Sequence, residues 1–589
     1  MPNYINPILL ADSYKLSHID FTSVGVETIY SNFTPRFTEY LQQKIKSFDG
    51  GIVVFGLQAA IQKIFVEYWE EGFFKRDKEE VIGEAKRLLS PYIGMENFKH
   101  FEDLHDLGYM PIRIKALEEG SIIGKGIPCM TITNTHKDFQ WLPNYLESVL
   151  SSEMWKPMTT ATIGRALKSI AVKASVETTG SAEGADFQLH DFSFRGQSGI
   201  ESGAASGAGF LLSTMGTDNI PSMAFLEHYY GANIEKEDIA FSVPAGEHSV
   251  TTLGIQIEAK NVQMTAIENN VYIPDAEEIL ELAERNYVGY VLSKFPTGIV
   301  SYVADSYDYF GFLEKTLPAV KDLIEGRDGK FVVRGDSGNP VEIIAGIEVL
   351  DVSYADALEL GAVDAAYYYI PEDGNAVDGS FSTVFKFKGD VYKVDYEVKT
   401  FRSILDDVKI KGFYPYELTT VEKGTVQTLY DIFGGHVNEK GYIELSEKIG
   451  MIYGDGINET RMLEIFKRLK AQGFASTNVV FGIGSYTLNM LSRDDLGTAV
   501  KATAAIVDNE LVSIYKDPKT DSTKKSARGL LKVQQLANGM LELQDEVSVI
   551  GESEGMLTEV YEDGHMARKT TYSDVLENLK HFDNIWVNQ

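Results

Sequence analysis

The stretch Phe241-Ser-Val-Pro-Ala-Gly-Glu-His-Ser249 sets an imidazole beside a carboxylate, just after a turn containing Pro244 and Gly246. Glycine lets a backbone come close to a ligand. His248 can exchange a proton near neutral pH, and it can also act as a nucleophile. A lone histidine is more often structural, so its chemistry depends on what the chain gathers around it. Arg334-Gly-Asp-Ser-Gly-Asn-Pro340 is the most specific second stretch. Arginine offers a planar fork of donors that suits phosphate. Asp336 could bind ribose hydroxyls or a Mg²⁺ that bridges phosphates. Ser337 and Gly338 offer amides at an expected helix start, which suits an anion.

Three further loops repeat this logic. Gly454-Asp455-Gly456 sets an acidic acceptor between two residues that permit close approach, and Gly482-Ile-Gly484-Ser485 suits a phosphate. The latter also resembles the start of a dinucleotide-binding fingerprint, the basis for an NAD-binding dehydrogenase as the rival reading. The third glycine is missing, however, because position 487 is Thr. No Walker A sequence occurs. In His190-Asp-Phe-Ser-Phe-Arg195, Phe192 could stack on a flat ring while Arg195 reaches a polar substituent or a phosphate. Asp218 follows the small-residue run Ser202–Gly209, either as a helix cap or as an acceptor in a pocket.

The elements that must position these residues are short apolar or β-branched runs, each ending in one of the loops and followed by a helical stretch. Such runs precede His190, Asp305, Arg334, Gly454 and Gly482. Repeated strand–loop–helix units predict a parallel sheet whose carboxyl edge carries the ligand site. Residues 1–160 read as the first part of an α+β domain, 161–494 as an α/β barrel and 495–589 as the second part of the α+β domain. Helices are predicted over Trp141–Leu150 and Thr160–Glu177. Two stretches break the rhythm, 256–280 and 365–445. The second contains Ser382–Val398, which alternates with period two around Gly389-Asp390 and reads as a β-hairpin in an inserted β-rich subdomain.

The chain has 589 residues, 44% hydrophobic and 24% charged, with a net charge of −32. That is an ordinary soluble composition. A field of this sign repels nucleic acid and anionic membranes, so neither is an expected partner. An anionic substrate would need local Arg and Lys. No apolar run is long enough to span a bilayer, and no secretory signal is expected at the start. Cys129 is the only cysteine. It excludes intramolecular disulfides and Cys-based metal sites, and it fits a cytoplasmic setting.

Taken in order, Ala11-Asp-Ser-Tyr-Lys15, Phe55-Gly-Leu-Gln58, His190-Asp-Phe192, Gly216-Thr-Asp218, Ser242–Ala245 with Glu247-His-Ser249, Asp305-Ser-Tyr-Asp308, Arg334–Pro340, Gly454-Asp-Gly456, Arg493-Asp494 and Lys516-Asp-Pro518 resemble the nicotinamide phosphoribosyltransferases, a type II phosphoribosyltransferase family. The resemblance spans nearly the whole chain outside the two inserts. It implies a homodimer with shared active sites. It also implies Mg²⁺-dependent formation of nicotinamide mononucleotide and pyrophosphate from nicotinamide and phosphoribosyl pyrophosphate. ATP hydrolysis would be coupled through a phosphohistidine at His248.

By motif, Phe192 and Tyr14 would sandwich the nicotinamide ring, Tyr14 from the partner subunit. Asp218 would accept from the carboxamide, which disfavours nicotinate, the alternative substrate. Gly196, where related nicotinate enzymes tend to carry a second arginine, points the same way. Ser242, Val243, Ala245 and Ser301 are assigned to the substrate pocket. Arg195 and Arg334 would face the nucleotide phosphate or the ring, and Asp336 the ribose hydroxyls, with Asp305 and a Mg²⁺ nearby. Gly454, Asp455, Gly484 and Ser485 would line the ribose and its phosphate. Arg493 and Lys501 would complete that site from the partner. Arg36, Glu247, Lys516 and Lys524 fall on the pyrophosphate and ATP side. Gly246, Ile483, Ser485-Tyr486 and Ala499 depart from the family pattern.

Overall fold

A computed structural model of the protein describes residues 5–368, 378–401, 404–516 and 527–588. Lys524, and Asp517-Pro518 of the Lys516 motif, lie outside the described residues. The chain forms two main sheets. The first is antiparallel and draws on both ends of the chain. Its order is Glu510–Ser513, Ala499–Val507, Val26–Thr34, Met130–Asn134, Ile112–Ala116, Thr558–Glu562 and His565–Met566. Asn32 sits opposite Lys501, and Ser31 opposite Ile132.

The second sheet is parallel. Its strands are β1 (Leu189–Asp191), β2 (Gly216–Thr217), β3 (Val300–Val303), β4 (Phe331–Gly335), β5 (Ile449–Tyr453) and β6 (Val479–Ile483), in the order β2-β1-β6-β5-β4-β3. These runs are apolar because helices and the barrel interior cover both faces. Met451 pairs with both Val333 and Val479.

The sheet is closed by the Phe241–Ala245 segment. Phe241 bridges to Gly216 next to β2, and Ala245 bridges to Ser301 on β3, both in parallel sense. The Phe241 carbonyl accepts from the Thr217 amide at 3.0 Å, and the Pro244 carbonyl accepts from the Ser301 amide at 2.9 Å. Pro244 lacks an N–H, so this segment can make only part of a ladder. It still joins the two edges and turns an open sheet into a barrel.

The helix predicted over Trp141–Leu150 is present as Leu142–Tyr145 and the start of Glu147–Thr179, and that one long helix also contains the stretch predicted over Thr160–Glu177. It runs through Pro157. Proline removes one helical hydrogen bond. Here the neighbouring Thr159, Thr160 and Thr162 hydroxyls donate to carbonyls one turn back, and burial along most of the helix holds the turn in place. The Ser202–Gly209 run is helical as expected, within Ile200–Phe210. A Cβ on Gly209 would overlap the Pro157 carbonyl, so these two helices pack nearly backbone to backbone.

The expected hairpin is present, with Lys388 and Gly389 at φ 58° and 93° in its two-residue turn. A third strand, Ile404–Pro415, adds to it, and the helix Tyr354–Tyr368 packs across the sheet around Ala357, Phe385, Val394 and Tyr396. This unit stops short of residue 445. Val426, Leu429 and Phe433 on the helix Thr420–Phe433 belong to the main core instead, because their stripe faces the barrel. Residues 256–280 fall in a helical hairpin formed by α1 (His248–Glu268) and α2 (Ala276–Lys294).

Candidate active site

The carboxyl ends of the barrel strands bring most of the expected residues together. Phe192 follows β1, Asp218 follows β2, Asp305 follows β3, Asp336 follows β4, Gly454 follows β5 and Gly484 follows β6. The closing segment adds Ser242 and leads directly into His248, the first residue of α1. A cavity of about 590 Å³ opens here, lined by Phe192, Asp218, Ser242, Val243, Ala245, Ser301 and Arg334. It continues through the barrel to Lys330, Glu444 and Asn478 at the opposite end.

Asp218 is held from two sides. His190 Nε2 lies 2.9 Å from Oδ1, and Ser242 Oγ donates to the same oxygen at 2.6 Å. Burial opposes ionisation, but these two bonds outweigh it and hold the carboxyl below its ordinary pKa. Asp218 is therefore a carboxylate at neutral pH with Oδ2 left to face a ligand. His190 also meets the Phe192 ring edge-on at 5.0 Å, so one histidine positions both the acceptor and the flat stacking surface. Asp191, one residue on, points the other way. It is fully buried, accepts from the Ser193 amide at 2.7 Å and from Asn219 at 3.2 Å, and ties β1 to β2.

Arg334 stacks over the other element of this pocket, with its guanidinium 5.1 Å from the Phe192 ring centre. Its Nε and terminal nitrogen donate to the two oxygens of Asp336 at 3.1 and 2.6 Å. The pair is a two-point fork. Phe192 is fixed from below by glycine: a Cβ on Gly482 would overlap its ring. Gly454 has the same relation to Asp336, and Gly196 to Ser485. Gly482→Ala is expected to displace the Phe192 ring and lower stability by about 1–3 kcal/mol, measurable by chemical denaturation.

His248 Nε2 lies 2.9 Å from Asp305 Oδ1. The other oxygen of Asp305 accepts from the Asp336 amide at 3.2 Å and from Ser337 Oγ at 2.6 Å. Burial opposes ionisation of Asp305, but the bonds from Ser337 and His248 outweigh it and lower its pKa. Its side chain is 4% exposed, that of His248 45%. The carboxylate is sheltered and the imidazole is open. This is the arrangement of an oriented nucleophile, with the ring presented at the start of a 21-residue helix whose dipole favours an anion. The Ser337 hydroxyl anchors Asp305.

The remaining expected residues divide in two. Arg195, Ser485 and Asp455 sit at the barrel rim, Ser485 packed against Gly196. Tyr14, Arg36, Arg493 and Lys501 lie on the antiparallel-sheet domain. Tyr14 is 57% exposed, with its ring 5.4 Å from His18. Lys501 pairs with Glu147 at 2.9 Å, and Glu147 also holds Lys15. Arg36 Nε donates to the Gly497 carbonyl at 2.7 Å. No hydrogen bond or ion pair between described residues joins these four to the barrel mouth. Two contributors were missed from sequence. His190 was read only as part of a motif, and Glu147 had no local signal, since its role comes from converging on Lys15 and Lys501.

Comparison with known proteins places the chain among its relatives. The model of the nicotinate phosphoribosyltransferase (NAPRTase) family matches residues 187–549. A nicotinamide phosphoribosyltransferase of Acinetobacter baylyi is 37% identical over 584 residues, covering 98% of this chain and 97% of that protein. One from Xanthomonas campestris pv. campestris is 28% identical over 585 residues, covering 97% of this chain and 98% of that protein. The crystal structure of human nicotinic acid phosphoribosyltransferase superposes with a TM-score of 0.50 at 13% identity, covering 98% of this chain and 94% of that one. This last likeness concerns the fold.

Proposed function

The chain belongs to the nicotinate phosphoribosyltransferase family, and we propose that it is an enzyme that joins nicotinamide to phosphoribosyl pyrophosphate, giving nicotinamide mononucleotide and pyrophosphate for NAD synthesis. The observation that carries the choice of base is Asp218. Its carboxylate lies in the cavity beside Phe192 with one oxygen already engaged by His190 and Ser242. A carboxamide NH₂ can donate to the other oxygen. The carboxylate of nicotinate has no donor and would meet a like charge.

In this reading the ring nitrogen of nicotinamide attacks the anomeric carbon as the bond to pyrophosphate breaks. Positive charge develops on the ribose, and a highly charged leaving group departs. Phe192, with Tyr14 of the partner subunit, would hold the ring flat. Arg334 and Arg195 would meet phosphate, while Asp336 and Asp305 face the ribose. Gly454, Asp455, Gly484 and Ser485 leave room for the 5′-phosphate.

Among the described residues no hydrogen bond or ion pair joins Tyr14, Arg36, Arg493 and Lys501 to the barrel mouth of their own chain, a separation that supports a homodimer in which the partner completes each site. Among the described residues no group of three or more His, Cys, Asp or Glu side chains suits a metal. Asp305 and Asp336 are the carboxylates that would hold a Mg²⁺ at this site. When bound, Mg²⁺ would neutralise the leaving group.

ATP coupling would run through His248. Asp305 holds Nε2, so Nδ1 is the atom that would take the γ-phosphoryl group as ADP leaves. Glu247, Lys516 and Arg36 would attend the nucleotide. No helix among the described residues is long and apolar enough to cross a membrane. The single buried Cys129 and the acidic charge support action in the cytoplasm without nucleic acid.

A phosphoribosyl pyrophosphate-dependent pyrophosphate-release assay tests the reaction. Nicotinamide should trigger release. Binding of nucleotide without turnover would favour a sensor or a dehydrogenase instead.

A further inference from the structure

The long helix Glu147–Thr179 carries a charged side chain into the packing behind the barrel rim. Lys156, one residue before Pro157, is 4% exposed. Among the described residues its ammonium pairs with no carboxylate. It donates to a neutral amide, Asn489 Oδ1, at 2.9 Å. Burial pushes the Lys156 pKa down to about 8, although the charge of Asp495 opposes this. A buried ammonium with so little compensation costs stability. Fold stability therefore does not account for this lysine.

Asn489 sits where two loops of the site meet. It directly follows Ser485–Leu488, the short helix after β6. Its Nδ2 donates to the Gly196 carbonyl at 2.8 Å, on the loop after β1 that carries Arg195. Its Oδ1 also accepts from Ser198 Oγ at 3.1 Å. Gly196 lies so close to Ser485 that a Cβ there would overlap the serine hydroxyl. The two loops thus touch at Gly196 and Ser485 and are tied together by Asn489.

Donor and acceptor chemistry says what the lysine does. The Gly196 carbonyl can only accept and the Lys156 ammonium can only donate, so they select the same orientation of the amide from opposite ends. The Ser198 hydroxyl can do either and selects none. Lys156 pins the amide onto the carbonyl.

We infer that Lys156 and Asn489 are positioning residues for the phosphate end of the site: Lys156 orients the Asn489 amide, and Asn489 holds the Arg195-Gly196 loop against Ser485. This rests on the reading of Arg195 and Ser485 as neighbours of the ribose 5′-phosphate. That phosphate takes no part in bond making and is held alike before and during the reaction. Loosening its seat therefore raises KM and spares kcat. The nicotinamide pocket is fixed independently. Phe192 rests on Gly482, its amide donates to the Ile483 carbonyl at 3.0 Å, and Asp218 is held by His190 and Ser242.

Calorimetry on the full chain, with ribose 5-phosphate and separately with nicotinamide, tests this without turnover. Asn489→Ala should weaken ribose 5-phosphate about tenfold, the effect of one lost hydrogen bond. Nicotinamide should stay within about twofold. Lys156→Met should weaken ribose 5-phosphate about threefold, while the melting temperature holds or rises because a buried charge is gone. The double variant should match Asn489→Ala, since the lysine acts only through the amide. The KM for phosphoribosyl pyrophosphate should follow these affinities, with kcat within about twofold. The inference is overturned if neither single variant weakens ribose 5-phosphate, if the wild type binds none of it, or if nicotinamide weakens as much. The expected affinities in a chain that does not turn over nicotinamide would refute the proposed reaction and uphold the positioning role.

Discussion

Asp218→Ser lowers kcat/KM for nicotinamide by roughly 10- to 100-fold, while nicotinate loses nothing or gains. A hydrogen bond to a charged group contributes about 1.5–3 kcal/mol, and each 1.36 kcal/mol is about tenfold in rate. The size of the loss follows from removing that bond at a carboxylate that stays ionised because His190 and Ser242 hold it. The gain for nicotinate follows from removing a like charge. Asp218→Asn separates the two effects. Its amide oxygen can still accept from a carboxamide, so nicotinamide should suffer less than with Ser, while nicotinate no longer meets an anion. Steady-state kinetics with both bases reads this directly. His190→Ala should move nicotinamide in the same direction by a smaller factor, because Asp218 keeps its bond from Ser242 but loses the ring that orients it against Phe192.

His248→Ala should abolish stimulation by ATP and the acid-labile phosphorylation of the chain, yet leave slow basal synthesis. The ring lies at the mouth of the barrel and not within the base pocket, and it does not line the cavity that holds Phe192 and Asp218. Its removal therefore takes away the phosphoryl acceptor without touching the site of bond formation. Asp305→Asn is a graded version. It weakens the hold on Nε2 and disturbs the Ser337 and Asp336 contacts, so phosphorylation should slow without disappearing. Radiolabelled ATP with acid and alkali washes, run beside the synthesis assay, measures both. ATP stimulation that survives His248→Ala would contradict the role given to this residue.

The barrel was largely legible because its strands are continuous apolar runs that end in polar loops. Val300–Val303, Phe331–Gly335, Ile449–Tyr453 and Val479–Ile483 all lie where those runs predicted them. The closing segment was legible only as a reactive turn. Phe241–Ala245 makes two bridges and has no alternation, so nothing in its pattern announces a barrel edge. Nothing in the residue pattern announced that Glu147–Thr179 is one helix running through Pro157, which the tertiary packing around the proline holds in place. The end of the inserted unit was misjudged for a related reason. Val426, Leu429 and Phe433 form a stripe, but a stripe does not say which core it faces. At the site, single residues such as Asp218 and His248 could be picked from type and spacing. Their partners could not, since His190–Asp218 and His248–Asp305 join positions far apart in sequence.

The most direct measurement is the ratio of kcat/KM for nicotinamide to that for nicotinate, with phosphoribosyl pyrophosphate saturating and the wild-type chain intact. A carboxylate beside the stacking ring predicts a ratio of at least about 100, from the lost donor and the added repulsion together. Equal use of the two bases would contradict the role assigned to Asp218.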